Sequence, residues 1–196
     1  MKNTLTINPG STSTKYKLFD VQGNVLGEHN FKISEAKVEQ KFLSEITDLK
    51  KIAIRVVHGG DISKTSKLTK TLKKKITEYV DFAPIHNTRA IETIEKMEKA
   101  FPGIVQYACF DTAFHTTMPE YLSTYAIPTK LAKKHKLKKY GFHGLAVQSA
   151  LEKFGEKRKS QNLKIPKNII FAHLGGGCSV TAVQNKKSLY TSMGLT

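Results

Sequence analysis

The sequence predicts an α/β fold in which a mixed sheet flanked by helices is followed by the first strands of a second, duplicated domain. Short apolar runs typical of buried strands alternate with segments of helical periodicity along most of the chain. A strand–loop–strand–turn–strand unit near the N-terminus recurs between residues 169 and 191. The composition, with 39% hydrophobic and 24% charged residues among 196, is that of an ordinary globular protein.

The first 110 residues are predicted to alternate between strands and helices. Alternating polar and apolar residues indicate the first strands, and an apolar run ending at Val57 indicates a strand buried on both faces. Apolar residues at three- and four-residue intervals indicate the helices. The predicted elements are strands at 5–7, 15–19 and 25–29, a helix at 37–49, a strand at 52–57, helices at 71–80 and 88–100, and a strand at 104–110.

The remaining residues are predicted to complete one domain and to begin another. In the two copies of the repeated unit, Asn8 aligns with His173 and Gly10 aligns with Gly175. A long run of helices and strands follows the first copy, whereas only five residues follow the second. We therefore expect an N-terminal domain over 1–160 and the truncated beginning of a second domain over 161–196. The predicted elements are helices at 128–135 and 145–154, a polar connection at 155–167, and strands at 169–172, 180–184 and 188–191.

The chain is strongly basic, with 32 Lys and Arg against 16 Asp and Glu and a net charge of +16. Only three of the basic residues are Arg, the residue best suited to bidentate recognition of phosphates and bases. The lysines lie along predicted solvent faces without interleaved aromatic residues. This pattern favours a Lys-rich surface that attracts small anions over a nucleic-acid interface, which stays a rival interpretation.

The sequence also indicates the cellular setting. Cys109 and Cys178 provide neither a disulfide framework nor the spacing of a metal site. No run of about 20 apolar residues is present for a membrane span, and residues 1–7 lack the apolar stretch of a secretory signal. We predict a reduced, cytoplasmic protein without a membrane partner.

Two loops of small residues are candidate phosphate-binding sites. The loop NPGSTSTK at 8–15 combines a glycine, the hydroxyls of Ser11 and Ser13, and the cation of Lys15. It lacks the spacing of a P-loop, and a plain hairpin turn is the alternative. The loop HLGGG at 173–177 permits close approach of a phosphate to the backbone, or serves only as a flexible turn.

Arg55, Asp111 and three histidines are the other candidates. Arg55 interrupts a buried apolar strand, where a guanidinium must pair with an anion, either a substrate or a structural carboxylate. Asp111 follows a predicted strand, where α/β sheets bind ligands, or it caps the next helix. His86 and His143 lie beside Asn or Gly, which predicts loops for both, and His173 ends a strand. Their spacing does not indicate a metal site.

Seven ordered segments resemble the acetate kinase family of short-chain acyl kinases. They are NPGSTS at 8–13, RVVHGG at 55–60, APIHN at 83–87, FDTAFH at 110–115, YGFHG at 140–144, HLGGG at 173–177 and TSMGLT at 191–196. The resemblance implies an actin-like ATPase fold of the ribonuclease H-like class, built from two duplicated domains. It also implies the conversion of ATP and acetate to ADP and acetyl phosphate, with Mg²⁺, by a homodimer.

The resemblance further implies a role for each candidate residue. Asp111 and His143 are the expected catalytic residues, Arg55 and His86 bind the substrate, and Asn8 binds Mg²⁺. Since acetate is already an anion and needs no base, Asp111 is expected to orient the metal or the substrate. The residues expected to contact ATP are Lys15, Ser11, Ser13, His173, Leu174, Gly175, Gly176 and Gly177.

Some positions depart from the acetate kinase pattern. Gly176 and Cys178 stand where that family usually has Asn and Ala, and residues 145–147 replace a usual Thr-Ser-His. Pro9 and the three consecutive glycines resemble butyrate kinase, so the sequence defines the reaction better than the acyl acceptor. Family members are much longer. This chain is therefore expected to be inactive alone and to need the C-terminal half as a partner, with a non-catalytic interaction module as the alternative.

Overall fold

The computed structural model describes residues 3–175 and 177–195, and the chain forms two compact units. The first unit contains the chain up to residue 57 together with residues 65–109. The second unit contains residues 58–64 and the chain from residue 110 onward. Across the described residues, no helix combines the length and the apolar character that a membrane span requires.

The described part of the first unit contains a six-stranded mixed sheet with the order β3-β2-β1-β4-β6-β5. The central strand β1 runs parallel to β4 and antiparallel to β2, which in turn pairs antiparallel with β3. The short β5 pairs antiparallel with β6. The strands are β1 (Asn3–Pro9), β2 (Ser13–Phe19), β3 (Val25–Lys32), β4 (Leu49–Val56), β5 (Ser66–Lys67) and β6 (Val105–Phe110). The predicted mixed α/β sheet is confirmed.

Three α-helices lie in the described part of this unit: α1 (Ala36–Glu45), α2 (Lys70–Thr77) and α3 (Pro84–Ala100). Helix α3 packs against β1 and β4 and buries Ile94 and Met97. The buried hydroxyl of Tyr16 donates a hydrogen bond to Glu39 of α1, whose carboxylate also binds Lys96 of α3. Burial and the neighbouring Glu39 raise the pKa of Tyr16, so the phenol stays a neutral donor.

The described part of the second unit packs helix α6 against a three-stranded antiparallel sheet with the order β7-β8-β9. Val147 and Leu151 of α6 lie against Val183 of β8, with Ile169 and Phe171 of β7 around them. The elements are a 3-10 turn at Ala113–Thr117, α4 (Glu120–Ser123), α5 (Thr129–Lys134), α6 (Gly144–Ser160), β7 (Asn168–Leu174), β8 (Cys178–Gln184) and β9 (Lys187–Thr191).

Three element boundaries differ from the sequence prediction by four or more residues. The helix predicted over 37–49 ends at Glu45, because Ile46 is extended and Asp48, with φ of +56°, turns the chain into β4. Helix α6 continues through Ser160 into the predicted connection, since the chain there is rich in the helix formers Lys and Glu. Helix α3 begins at Pro84 rather than residue 88, with proline in the first turn where its missing N–H costs nothing. The expected domain boundary at residue 160 stays a prediction.

Helix α6 begins in close contact with Asp111, a residue of the same unit. The amide of Gly144, its first residue, donates a 3.0 Å hydrogen bond to the carbonyl of Asp111. A Cβ atom at position 144 would lie 2.2 Å from that carbonyl oxygen and 2.9 Å from the Cβ of Phe114. Glycine is therefore required for this approach of the helix to Asp111.

His58 is a buried histidine that must stay neutral. Its Nε2 lies 3.3 Å from the carbonyl of Leu195, and its Nδ1 accepts a 3.1 Å hydrogen bond from the amide of Gly60. Because a carbonyl only accepts, Nε2 carries the proton and Nδ1 is an acceptor. Burial lowers the pKa of His58 to about 4.

Substituting Gly144→Ala will lower the free energy of unfolding by at least about 1 kcal/mol, because the added methyl group meets backbone atoms that cannot rotate away. Urea denaturation monitored by circular dichroism measures this. Gly27→Ala is the matched control, since a Cβ atom at position 27 meets no atom within 4 Å. Equal stability of the two variants would contradict the close approach.

Lowering the pH from about 6.5 to about 4 will reduce the stability of the protein through His58. In this range the unfolded imidazole binds a proton and the folded imidazole does not, which costs at most about 1.4 kcal/mol per pH unit. Urea denaturation at several pH values measures the slope. His58→Asn keeps an acceptor for the Gly60 amide but does not titrate, so its slope will be shallower than that of the wild type. Identical slopes would show that His58 is not held neutral.

Candidate functional site

The segment 140–144 forms a tight turn that presents His143 immediately before α6. His143 adopts the left-handed conformation with φ of +60°, and Gly141 has φ of +76°. A Cβ atom on Gly141 would lie 2.5 Å from the Cγ2 of Thr191 and 2.8 Å from the ring of His115. The amides of Tyr140 and Gly141 both donate 3.1 Å hydrogen bonds to the carbonyl of Gly194. The turn is thus held by the surrounding backbone and requires glycine at position 141.

The side chain of His115 also holds this turn in place. Its side chain is buried, with Nε2 at 2.9 Å from the carbonyl of Phe142 and Nδ1 at 2.9 Å from the hydroxyl of Ser188. The carbonyl only accepts, so Nε2 donates to it and Ser188 donates to Nδ1. Burial lowers the pKa of His115, which keeps the imidazole neutral. The sequence prediction missed this role, although His115 ends the FDTAFH segment.

The structure brings His143, His173 and the glycine loop together. The Nδ1 of His143 lies 2.9 Å from the hydroxyl of Ser179, and its ring centroid lies 4.4 Å from that of His173. A Cβ atom on Gly177 would lie 3.7 Å from Cε1 and 3.9 Å from Nε2 of His143, so this edge of the ring faces the loop. Ser179 is a second residue that the sequence prediction missed.

The other predicted residues of this loop have different surroundings. The amide of Gly175 donates a 3.0 Å hydrogen bond to the carbonyl of Gly177, which closes the loop on itself. The side chain of Leu174 is 75% exposed. Gly176 lies outside the described residues.

Asp111 follows the last residue of β6 and is buried, with 2% of its surface exposed. Its carbonyl accepts the hydrogen bond from Gly144. Asp111 is therefore joined through the main chain to the residue that follows His143. One main-chain hydrogen bond thus links Asp111 to the neighbour of His143, the other predicted catalytic residue.

Within the first unit, Asn8, Lys15 and Arg55 lie side by side on three neighbouring strands. Asn8 of β1 pairs with Lys15 of β2, and the parallel register of Ile7 with Ile54 places Arg55 of β4 beside Asn8. One guanidinium nitrogen of Arg55 donates a 2.9 Å hydrogen bond to the side-chain oxygen of Asn8. Two cations and one amide in a row provide a surface suited to phosphate or carboxylate oxygens.

The loop between β1 and β2 is a tight turn. The amide of Gly10 donates a 2.8 Å hydrogen bond to the carbonyl of Ser13, and a Cβ atom on Gly10 would lie 3.0 Å from that oxygen. Ser11 is exposed and Ser13 is half-buried. The backbone of this loop therefore forms a tight turn, in the segment of small residues where the sequence predicted a loop.

His86 lies in the first turn of α3, so the prediction of a loop there is wrong. Pro84 starts the helix two residues earlier, and the sequence prediction took that proline for a loop signal. The side chain is half-buried, and its Nδ1 has no hydrogen-bond partner among the described residues.

The described residues include no group of three or more His, Cys, Asp and Glu side chains that could hold a metal ion. A protein that binds Mg²⁺ with a nucleotide needs fewer ligands, because waters and phosphate oxygens fill most positions. Asp111 supplies a carboxylate, and the side-chain oxygen of Asn8 keeps a second lone pair beside its bond from Arg55. Each of these residues fits a Mg²⁺ ligand of this kind.

The amino-acid sequence is similar to those of known proteins. Residues 28–196 match the Acetokinase family. The chain is 36% identical to an acetate kinase of Mycoplasma mycoides subsp. mycoides, over 98% of this chain and 57% of that protein. It is 38% identical to an acetate kinase of Francisella tularensis subsp. holarctica, over 100% of this chain and 58% of that protein. The chain thus spans rather more than half the length of these relatives.

Solved structures share the fold. A propionate kinase from Francisella tularensis subsp. tularensis superposes with a TM-score of 0.88 at 34% identity, over all of this chain and 58% of that one. An acetate kinase from Porphyromonas gingivalis gives a TM-score of 0.83 at 28% identity, again over all of this chain and 58% of that one. The fold class expected from the resemblance is confirmed, and the chain belongs to the acetokinase family.

Proposed function

We propose that this chain is the acyl-binding, N-terminal part of an enzyme that transfers the terminal phosphoryl group of ATP to acetate, giving ADP and acetyl phosphate. The observation that carries this proposal is the position of His143. Its ring edge faces the glycine loop at Gly177, and the amide of Gly144 ties it to Asp111. In-line phosphoryl transfer needs chiefly such positioning and charge neutralisation.

Each residue then contributes a defined part of the chemistry. Arg55 binds the acetate carboxylate, Lys15 binds phosphate oxygens, and His86 lies beside the substrate. Asp111 orients the metal or the substrate and takes no proton, because acetate reacts as an anion. His143 donates a hydrogen bond to the phosphoryl group during transfer. Mg²⁺, when held through Asn8 or Asp111, neutralises charge on the phosphate oxygens.

The two small-residue loops bind the nucleotide in this proposal. Backbone amides and hydroxyls of the first loop, at Ser11 and Ser13, contact phosphate oxygens. The glycine loop with His173 and Leu174 contacts them as well. The exposed position of Ser11 and the tight backbone turns of both loops support this assignment.

The acyl acceptor is proposed to be acetate, because the relatives from Mycoplasma and Francisella carry that name. The solved Francisella relative is named a propionate kinase, so a slightly longer acid is the second candidate. Butyrate remains a third acceptor, on the basis of Pro9 and the three consecutive glycines. The cytoplasmic location predicted from the sequence would give this enzyme access to ATP.

We further propose that the activity needs a polypeptide equivalent to the rest of the relatives, assembled as a homodimer. The chain spans 57% of the Mycoplasma enzyme. The outer face of β7 and β8 exposes apolar side chains, with Ile170 at 74%, Leu174 at 75% and Val180 at 43%. A solvent-exposed apolar face of this kind is typical of an interaction surface. The alternative, an interaction module without catalysis, uses the same face.

A chimera provides the test of catalysis. This chain replaces the matching part of the Mycoplasma mycoides enzyme, and acetyl phosphate formation is measured. The chimera will be active, whereas the isolated 196-residue chain will show no activity above a mock preparation. A folded but inactive chimera, or acetyl phosphate formed by the isolated chain, would contradict the proposal.

In the active chimera, Arg55→Ala will raise the KM for acetate by about 10- to 100-fold, because a charged hydrogen bond to the carboxylate is lost. Steady-state kinetics at saturating ATP measure the change. Arg158→Ala is the matched control. Arg158 lies near the end of α6 and donates a hydrogen bond to the carbonyl of Lys164, so its substitution will leave the KM for acetate unchanged. An unchanged KM in Arg55→Ala would remove Arg55 from the acetate site.

A further inference from the structure

A cavity of about 950 Å³ runs along helix α6 in the second unit. One wall is a stripe of the helix from Gln148 to Lys159, which at 1.5 Å per residue is about 16 Å long. The volume lies within the range of cavities that bind small organic ligands. Among the described residues, none of those predicted to bind acetate, metal or ATP lines this cavity.

The other walls are segments that hydrogen bonds hold in place. Arg158 donates two hydrogen bonds, of 3.0 and 2.7 Å, to the carbonyl of Lys164, which fixes residues 162–165 beside the end of α6. The hydroxyl of Thr117, in the 3-10 turn, donates a 3.0 Å hydrogen bond to the carbonyl of Ser188 in β9. A ligand would therefore enter a cavity that is already formed.

The interior of the cavity is mostly apolar. Its lining includes Phe114, Leu151, Leu163 and Ile165, together with Gly155. A Cβ atom on Gly155 would lie 3.1 Å from the Cδ1 of Ile165, so the helix and the chain after it pack closely there. Leu163 remains 46% exposed, and covering it with an apolar ligand would be favourable.

Four exposed lysines lie at the opening of the cavity. They are Lys159 and Lys164 near the end of α6, and Lys186 and Lys187 between β8 and β9. Within the part of the chain that the structure describes, none of their ammonium groups forms an ion pair. Glu152 and Glu156 also line the cavity, so four positive charges stand against two negative charges. This balance favours an anionic ligand.

We propose that the cavity binds a free long-chain fatty acid. Its alkyl chain lies against Phe114, Leu163 and Ile165, and its carboxylate lies at the lysines. The apolar interior excludes a small polar anion as the ligand, since acetate has no chain to bury there. The proposal does not depend on phosphoryl transfer, because the predicted catalytic residues lie outside the lining.

Isothermal titration calorimetry of the 196-residue chain with dodecanoate, below its micelle concentration, tests the proposal. Acetate is the control with the carboxylate but no chain, and dodecyltrimethylammonium is the control with the chain but the opposite charge. Dodecanoate will bind in a one-to-one complex that acetate does not displace. The cationic amphiphile will bind at least about tenfold more weakly, because the lysines repel it.

Leu163→Gln will weaken dodecanoate binding by about fivefold, because an apolar contact within the cavity is lost. Leu131→Gln is the matched control and will bind dodecanoate as the wild type does. Leu131 is equally exposed, at 46%, but it belongs to α5 and does not line the cavity.

The double substitution Lys159→Gln with Lys164→Gln will also weaken binding by about fivefold and will reduce its dependence on salt. The matched control is Lys133→Gln with Lys134→Gln, which removes the same charge from α5. This control will leave the affinity for dodecanoate unchanged.

Two-dimensional NMR locates the ligand on the wild-type chain, where dodecanoate will shift the amides of Gly155 and Leu163. Shifts confined to the outer face of β7 and β8, around Ile170 and Leu174, would overturn the proposal. Equal binding of the cationic amphiphile, or displacement of dodecanoate by acetate, would overturn it as well. Because these measurements need no catalysis, a folded chimera without kinase activity would contradict only the proposed function.

Discussion

The second unit depends on two hydrogen bonds that join residues 111–115 to residues 142–144, where α6 begins. The amide of Gly144 binds the carbonyl of Asp111, and the imidazole of His115 binds the carbonyl of Phe142. Both bonds are made to the main chain, and the space around Gly141 and Gly144 leaves no room for a side chain. His143, between them, has little freedom in where it points. The direction of α6, and with it the packing of β7–β9, follows from the same contacts.

Two neutral histidines hold backbone segments of this unit in place. His58 and His115 each donate from Nε2 to a carbonyl and accept at Nδ1, so both act as rigid connectors in their neutral form. Lys15 and Arg55, on the two strands that flank β1 in the first unit, both carry positive charge. In the proposed enzyme, positioning and charge neutralisation are thus assigned to different sets of residues.

Local patterns predicted the strands and the mixed sheet well, because alternation and buried apolar runs are properties of short segments. The boundaries of α1 and α6 were less well predicted. Periodicity did not show that Ile46 is extended and that Asp48 turns the chain into β4, and Gly155 lies within α6 rather than at its end. The sequence also identified Asn8, Lys15 and Arg55 individually, but only strand register shows that they form one row. Ser179 and His115 were missed because their partners lie 36 and 73 residues away along the chain.

Hydrogen exchange of the Gly144 amide tests whether the turn at 140–144 is fixed to Asp111. This amide is hydrogen-bonded to a buried residue and will exchange as slowly as the amides of β8 in the same unit. Two-dimensional NMR after transfer to deuterated water resolves the individual rates. Gly23 lies in the exposed turn between β2 and β3 and is the reference for fast exchange. If the Gly144 amide exchanges as fast as the Gly23 amide, the turn at 140–144 is not fixed to Asp111.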